Sequence, residues 1–163
     1  MLDAIRGFLS EMSGSVEKKE FGEDDYRLAA AALLFHVIAV DGVVSEEERE
    51  KLAEVLMRRY QLDRQGVQKL IAAAETADNE AIDLYGFTHV LKQHLDAAGR
   101  ERIIELMWTL VFADGTVHEF EDNVIWRVAE LLGVSSQDRI RLKQAVRDGV
   151  GHSAAHSLPS DKG

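Results

Sequence analysis

The chain has no cysteine, a single proline and no long apolar run. Without cysteine there are no disulfides, zinc–thiolate sites, iron–sulfur clusters or cysteine nucleophiles, and a reducing cytoplasm is the expected setting. The one proline, Pro159, stands near the C-terminus, so no helix before it is interrupted by one. No apolar run reaches the roughly 18–20 residues that a membrane span takes. The opening stretch, Met1 to Leu9, lacks a basic region followed by a long apolar core, so it does not read as a secretory signal. Positive charge is also short: 19 Lys and Arg against 29 Asp and Glu, a net charge of −10. Phosphate backbones are neutralised by Lys and Arg, so nucleic acid is not the expected partner. A cation, or a protein partner with a basic surface, suits the balance better. Alternating Val, Ile and Thr between turn dipeptides are missing, and no strand is expected. His-Glu-x-x-His, Gly-x-Ser-x-Gly, Walker A and Gly-x-Gly-x-x-Gly patterns are missing too. With no poised Ser–His pair either, an enzyme is not expected.

What is present is a 163-residue chain with 46% hydrophobic residues, enough for one domain with a real core. The pattern predicts an all-α fold: a single compact helical domain of about seven to eight helices with an internal duplication. Leu2, Ile5, Phe8, Leu9 and Met12 share one helical face, which predicts an N-terminal amphipathic helix and linker over residues 1–22. Such a helix is expected to dock on the domain or on a second copy, forming a homodimer. The helical domain occupies 23–149, with repeats at about 26–72 and 99–146, and a disordered polar tail is expected over 150–163. Within the domain, Leu28, Ala31, Ala32, Phe35, Ile38 and Ala39 mark the inward face of a first helix. Leu52, Val55 and Leu56 mark a second, and Val67, Leu70 and Ile71 a third capped by Asp63. A break is expected at Asp78-Asn79, then a helix carrying Ile82, Leu84, Phe87, Val90, Leu91 and Leu95. Ala97-Ala98-Gly99 reads as the next separator, ahead of an apolar helix from Arg100 to Ala113. Val124, Ile125, Val128, Leu131 and Leu132 follow, then Ser135 as a cap before Ile140, Leu142 and Val146.

The repeat carries the chemistry. Val40-Asp41-Gly42-Val43-Val44-Ser45-Glu46-Glu47-Glu48 returns as Ala113-Asp114-Gly115-Thr116-Val117-His118-Glu119-Phe120-Glu121, with Asp41, Gly42, Val44 and Glu48 each matched 73 residues on. An Asp at the end of one helix and a Glu in the first turn of the next occur twice. If the junctions adjoin, Asp41, Glu48, Asp114 and Glu121 converge, with Glu46, Glu47, Glu119 and Asp122 adding to the field. Carboxylates are the hard ligands preferred by Ca²⁺, Mg²⁺ or Mn²⁺. The stretch from Asp41 to Glu48 also matches the second half of an EF-hand loop, but the first half fails. Val37 and Ala39, and in the second copy Leu110 and Phe112, are apolar where ligands belong.

Helix punctuation is the competing explanation. Gly42 and Gly115 end a helix, and Ser45 with Glu48 makes a capping box while acidic first turns complement the helix dipole. In the second copy His118 replaces Ser45, so the box is expected to be lost there and capping leaves Glu121 unexplained. His118 itself, four residues from Asp114, is a candidate ligand. His36, in an apolar stretch, reads as a satisfied interior histidine. His89 and His94 are five apart, and His152 and His156 fall in the expected tail.

On these two motifs and the helical pattern from about Tyr26 to Gly149, the chain resembles the bacterial tellurite-resistance TerB-like family. The resemblance implies a compact helical fold of two similar halves, a cytoplasmic setting and a role in tellurite resistance or stress response. It also implies a metal-associated acidic site, which by position is Asp41, Glu48, Asp114 and Glu121. A similar domain occurs in a DnaJ-type co-chaperone, so a protein-interaction module without metal is the alternative.

Overall fold

The computed structural model describes Gly22, residues 25–114 and residues 117–156, with the side chains of Asp114 and residues 150–156 left aside. The expected N-terminal amphipathic helix, the homodimer built on it, Gly115 and the last seven residues lie outside this range. Seven α-helices and no strand occur among the described residues: α1 Tyr26–Ala39, α2 Glu46–Tyr60, α3 Arg64–Glu80, α4 Tyr85–His94, α5 Ala97–Val111, α6 Glu119–Leu132 and α7 Ser136–His156. A 3₁₀ turn, Phe112–Asp114, follows α5.

Helix α1 is the hub. The sequence marks one inward face, but the structure buries Leu28 through Phe35, then Val37 and Ile38, so the helix is covered all round. Its run of four alanines, Ala29 to Ala32, makes this workable, because small side chains let neighbouring helices approach on every side. A helix that is apolar around its whole circumference belongs in the middle of a core. It packs against α2, α3, α4, α5 and α6. The second apolar helix, α5, buries Ile103, Ile104, Met107, Trp108, Leu110 and Val111, and packs against α6 and α7.

The caps show why the chain breaks where it does. Asp25 accepts the Arg27 amide at 2.8 Å, and Asp63 accepts the Gly66 amide at 2.7 Å. Ser135 accepts the Asp138 amide at 3.0 Å. Each satisfies one of the orphan donors of a helix start. Helices α2 and α6 end at matching places in the repeat, on Gln61 and Gly133, both left-handed with φ of 55° and 80°. There the amides of Leu62 and Val134 return to Met57 and Ala129.

Three boundaries differ from the sequence expectation. Ala97-Ala98-Gly99 is the first turn of α5, not a separator, because Asp96 caps it by accepting the Gly99 amide at 2.9 Å. Helix α3 runs through Asp78-Asn79 to Glu80, and Ile82 lies in the following connection, 99% exposed, rather than on an inward face. Helix α7 runs to His156, beyond the expected end near Gly149. Glycines weaken a helix by about 1 kcal/mol each but do not end it as proline does. Ile140, expected inward, is 44% exposed.

Candidate functional site

The two copies of the repeated motif sit between α1 and α2 and between α5 and α6. They meet across one pocket of about 360 Å³, lined by Ile38, Ser45, Glu47, Glu48, Lys51, Leu110, Val111, Ala113 and Glu121. Glu48 and Glu121 therefore do come together, one from each junction, as the repeat suggested. Three carboxylates face one ammonium over a floor made by the ends of α1 and α5. Lys51 reaches toward Glu54 at 3.8 Å.

Asp41 behaves differently. Its Oδ1 accepts the Val43 amide at 3.1 Å, closing a turn on its own backbone, and the residue is exposed and absent from the pocket lining. Gly42 holds φ of +93°, a conformation an L side chain resists, and its amide reaches the Ala39 carbonyl at 2.9 Å. Turn chemistry accounts for the Asp-Gly pair: Asp bonds the backbone two residues on and glycine supplies the positive φ. The side chain of Asp114 lies outside the described residues.

The glutamates also have structural duties. Glu48 Oε1 accepts the Ser45 amide at 2.9 Å while Ser45 Oγ accepts the Glu48 amide at 3.0 Å. In the second copy, Glu121 Oε1 accepts the His118 amide at 3.0 Å. The expectation that capping leaves Glu121 unexplained is therefore corrected. The returning arm of the box needs only a backbone N–H at the cap position, which His118 supplies as well as Ser45 does. Glu121 is buried, 6% exposed, whereas His118 is exposed. Burying a carboxylate demands hydrogen bonds, and the cap provides one.

The wider acidic field is smaller than expected. Glu46 lines a separate depression with Arg49, Glu50 and Arg64, and Asp122 pairs with Lys143 at 3.2 Å. Among the described residues, no group of three or more His, Asp or Glu side chains is gathered closely enough to hold a metal ion.

The sequence did not single out Lys51, or the apolar floor of Ile38, Leu110, Val111 and Ala113. Lys51 was findable, since it stands one turn after Glu47 and Glu48 and shares their helix face. The floor was not, because it forms only when α5 crosses the end of α1. Val43 and Phe120, neighbours of the pocket residues along the chain, are 70% and 64% exposed.

His36 is satisfied, as read from the sequence, but stands half-buried at the surface rather than in the interior: its Nδ1 lies 2.8 Å from Asp78 Oδ1 and ties α1 to the end of α3. Elsewhere, burial drives the Tyr60 hydroxyl up to about 12. Burial opposes ionisation of Asp25, but bonds from the Arg27 side chain and backbone outweigh it and hold that carboxyl below its usual range.

Comparison with known proteins gives these features a lineage. The family model described as "Tellurite resistance protein TerB" matches residues 27–144. Among curated proteins, the Co-chaperone protein DjlA of Vibrio cholerae is 30% identical over 147 residues, 85% of this chain and 50% of that protein. Its counterpart in Vibrio parahaemolyticus is 28% identical over 146 residues, again 85% and 50%. That of Vibrio vulnificus strain CMCP6 is 29% identical over 167 residues, 93% and 57%. The chain thus spans about half the length of the curated relatives it matches. No solved structure matches it significantly. No helix among the described residues is long and apolar enough to cross a membrane. The family match runs from the second residue of α1 through α6 into the start of α7, with both Asp-Gly junctions inside it, and the chain belongs to the TerB family.

Proposed function

We propose that this chain is a non-catalytic protein-interaction module whose junction pocket receives a basic side chain of a partner protein. The observation that carries the reading is the composition of that pocket. Glu47, Glu48 and Glu121 outnumber Lys51, itself drawn toward Glu54, around an apolar floor, and Val43 and Phe120, near these residues along the chain, are exposed. Lys and Arg lay their hydrocarbon stems on apolar surface and keep their charged heads against carboxylates. A metal ion gains nothing from such a floor. That the relatives are co-chaperones supports a role in handling other proteins.

The test is fluorescence anisotropy of a labelled Arg- and Leu-rich amphipathic peptide against the whole chain and its Glu48→Gln/Glu121→Gln variant. Glutamine keeps the capping acceptor while removing the charge. A charge-assisted hydrogen bond contributes about 1.5–3 kcal/mol, so affinity is expected to fall at least ~10-fold and to weaken with salt. Unchanged affinity in the double variant rejects the pocket as the binding element.

A second reading is supported by the arrival of Glu48 and Glu121 in one pocket from the two junctions. Two carboxylates completed by water are the usual setting for Mg²⁺, and Ca²⁺ or Mn²⁺ accepts similar oxygens. On this reading Glu48 and Glu121 are the ligands, Asp41 serves its own turn outside the site, and the module acts in tellurite resistance or stress response. Calorimetric titration of chelator-treated protein with each ion decides it. Saturable binding lost in the double variant favours a cation, and no binding by any ion removes this reading.

A further inference from the structure

At the end of α1 remote from the junctions lies the largest apolar groove among the described cavities. It holds about 600 Å³ and is lined by Leu28, Ala29, Ala77, Glu80, Ala81, Ile82, Asp83, Gly86, Phe87 and Val90. Its rim includes Ile82, which is 99% exposed. A large aliphatic side chain held in water on the lip of an apolar groove points to an occupant.

We propose that the occupant is the chain's own N-terminal segment, residues 2–12, lying with its apolar face in this groove. Three observations select it over an outside partner. First, Leu28 and Ala29, in the first turn of α1, line the groove, so the chain before Asp25 emerges beside it. The 12 residues between Met12 and Asp25 reach about 40 Å when extended, far more than the docking asks. Second, the spacing of Leu2, Ile5, Phe8, Leu9 and Met12 in the sequence would put them on one face of a helix of 3.6 residues per turn, with the acidic Asp3 and Glu11 opposite. Third, the charges match. Arg6, the one Lys or Arg in residues 1–12, borders the apolar face, and the acids on the groove wall are Glu80 and Asp83. The segment thereby covers the groove and leaves the junction pocket, at the other end of α1, open to its ligand.

The experiment uses the whole chain, whose lack of cysteine makes a single label unambiguous. A nitroxide is attached at Tyr85→Cys, an exposed position next to Gly86 and outside the groove lining. Amide NMR signals of residues 2–12 are then compared with the label oxidised and reduced. Broadening of those signals, retained on dilution and abolished by Ile82→Asp, is expected. Ile82 is solvent-facing, so its replacement leaves the core intact. Two results overturn the proposal. One is signals that stay sharp. The other is broadening that appears only when labelled chains are mixed with isotope-enriched unlabelled ones, which assigns the groove to a second copy.

Discussion

Replacing Asp41 separates the two roles a repeated carboxylate at a helix junction can have. Its Oδ1 accepts the Val43 amide at 3.1 Å and the group is exposed. An asparagine offers a carbonyl oxygen at the same place, so Asp41→Asn keeps the turn while removing the charge. Asp41→Ala removes both. A single intramolecular hydrogen bond contributes about 0.5–1.5 kcal/mol net, and exposure puts this one in the lower half of that range. For a domain of this size, a loss of about 1 kcal/mol lowers the melting temperature by roughly 2–4 °C. The expectation is a measurable drop for Asp41→Ala and almost none for Asp41→Asn, read by differential scanning calorimetry. Gly42→Ala supplies the comparison, because holding a Cβ at φ of +93° costs about 1–2 kcal/mol. If the alanine and asparagine variants melt together at the wild-type temperature, the turn is not what Asp41 provides. Loss of cation or peptide binding in both would then make it a functional carboxylate.

Other perturbations follow from the same geometry. Leu34→Ala, in the fully enclosed middle of α1, is expected to lose about 2–5 kcal/mol, visible as a lower urea midpoint with an unchanged slope. Asp63→Ala removes the cap of α3 and is expected to cost about 1 kcal/mol in the same assay, with Asp63→Ser recovering most of it. Asp25, whose folded carboxyl titrates below its ordinary 3.8, stabilises the fold above that range. This stabilisation is lost as pH falls through the depressed value, so Asp25→Asn is expected to flatten the stability curve below about pH 4 while costing stability at neutral pH.

Local chemistry was the legible part of this chain. Ser45, Asp63 and Ser135 announce their helices because a short polar side chain ahead of an apolar period has one efficient use, the orphan amides of a first turn. Asp96 has the same use but was masked by the Ala-Ala-Gly that follows. Small residues read as a separator, yet they stand within the first turn of a capped helix. The Asp41 turn was equally available, since Asp-Gly is itself a turn signal.

What the sequence leaves out is how many sides of each helix are covered. Periodicity marks the residues that must be buried, and on α1 it identified Leu28, Phe35 and Ile38 correctly. It did not show that Ala30, Leu33, Leu34 and Val37 are buried as well, because that depends on five other helices arriving. The same arrivals create both cavities. The junction pocket exists because α5 meets the end of α1 and brings Leu110 and Val111 under Glu48 and Glu121. The apolar groove exists because the α3–α4 connection holds Ile82 away from the core. The central helix thus has an acidic pocket at one end and an apolar groove at the other, about 20 Å apart along its 14 residues. A rigid, fully packed helix between two openings lets them be altered separately. Glu48→Gln is expected to leave the groove unchanged, and Ile82→Asp to leave junction binding unchanged. Mutual effects between the two variants would mean instead that α1 shifts as a unit when either end is filled.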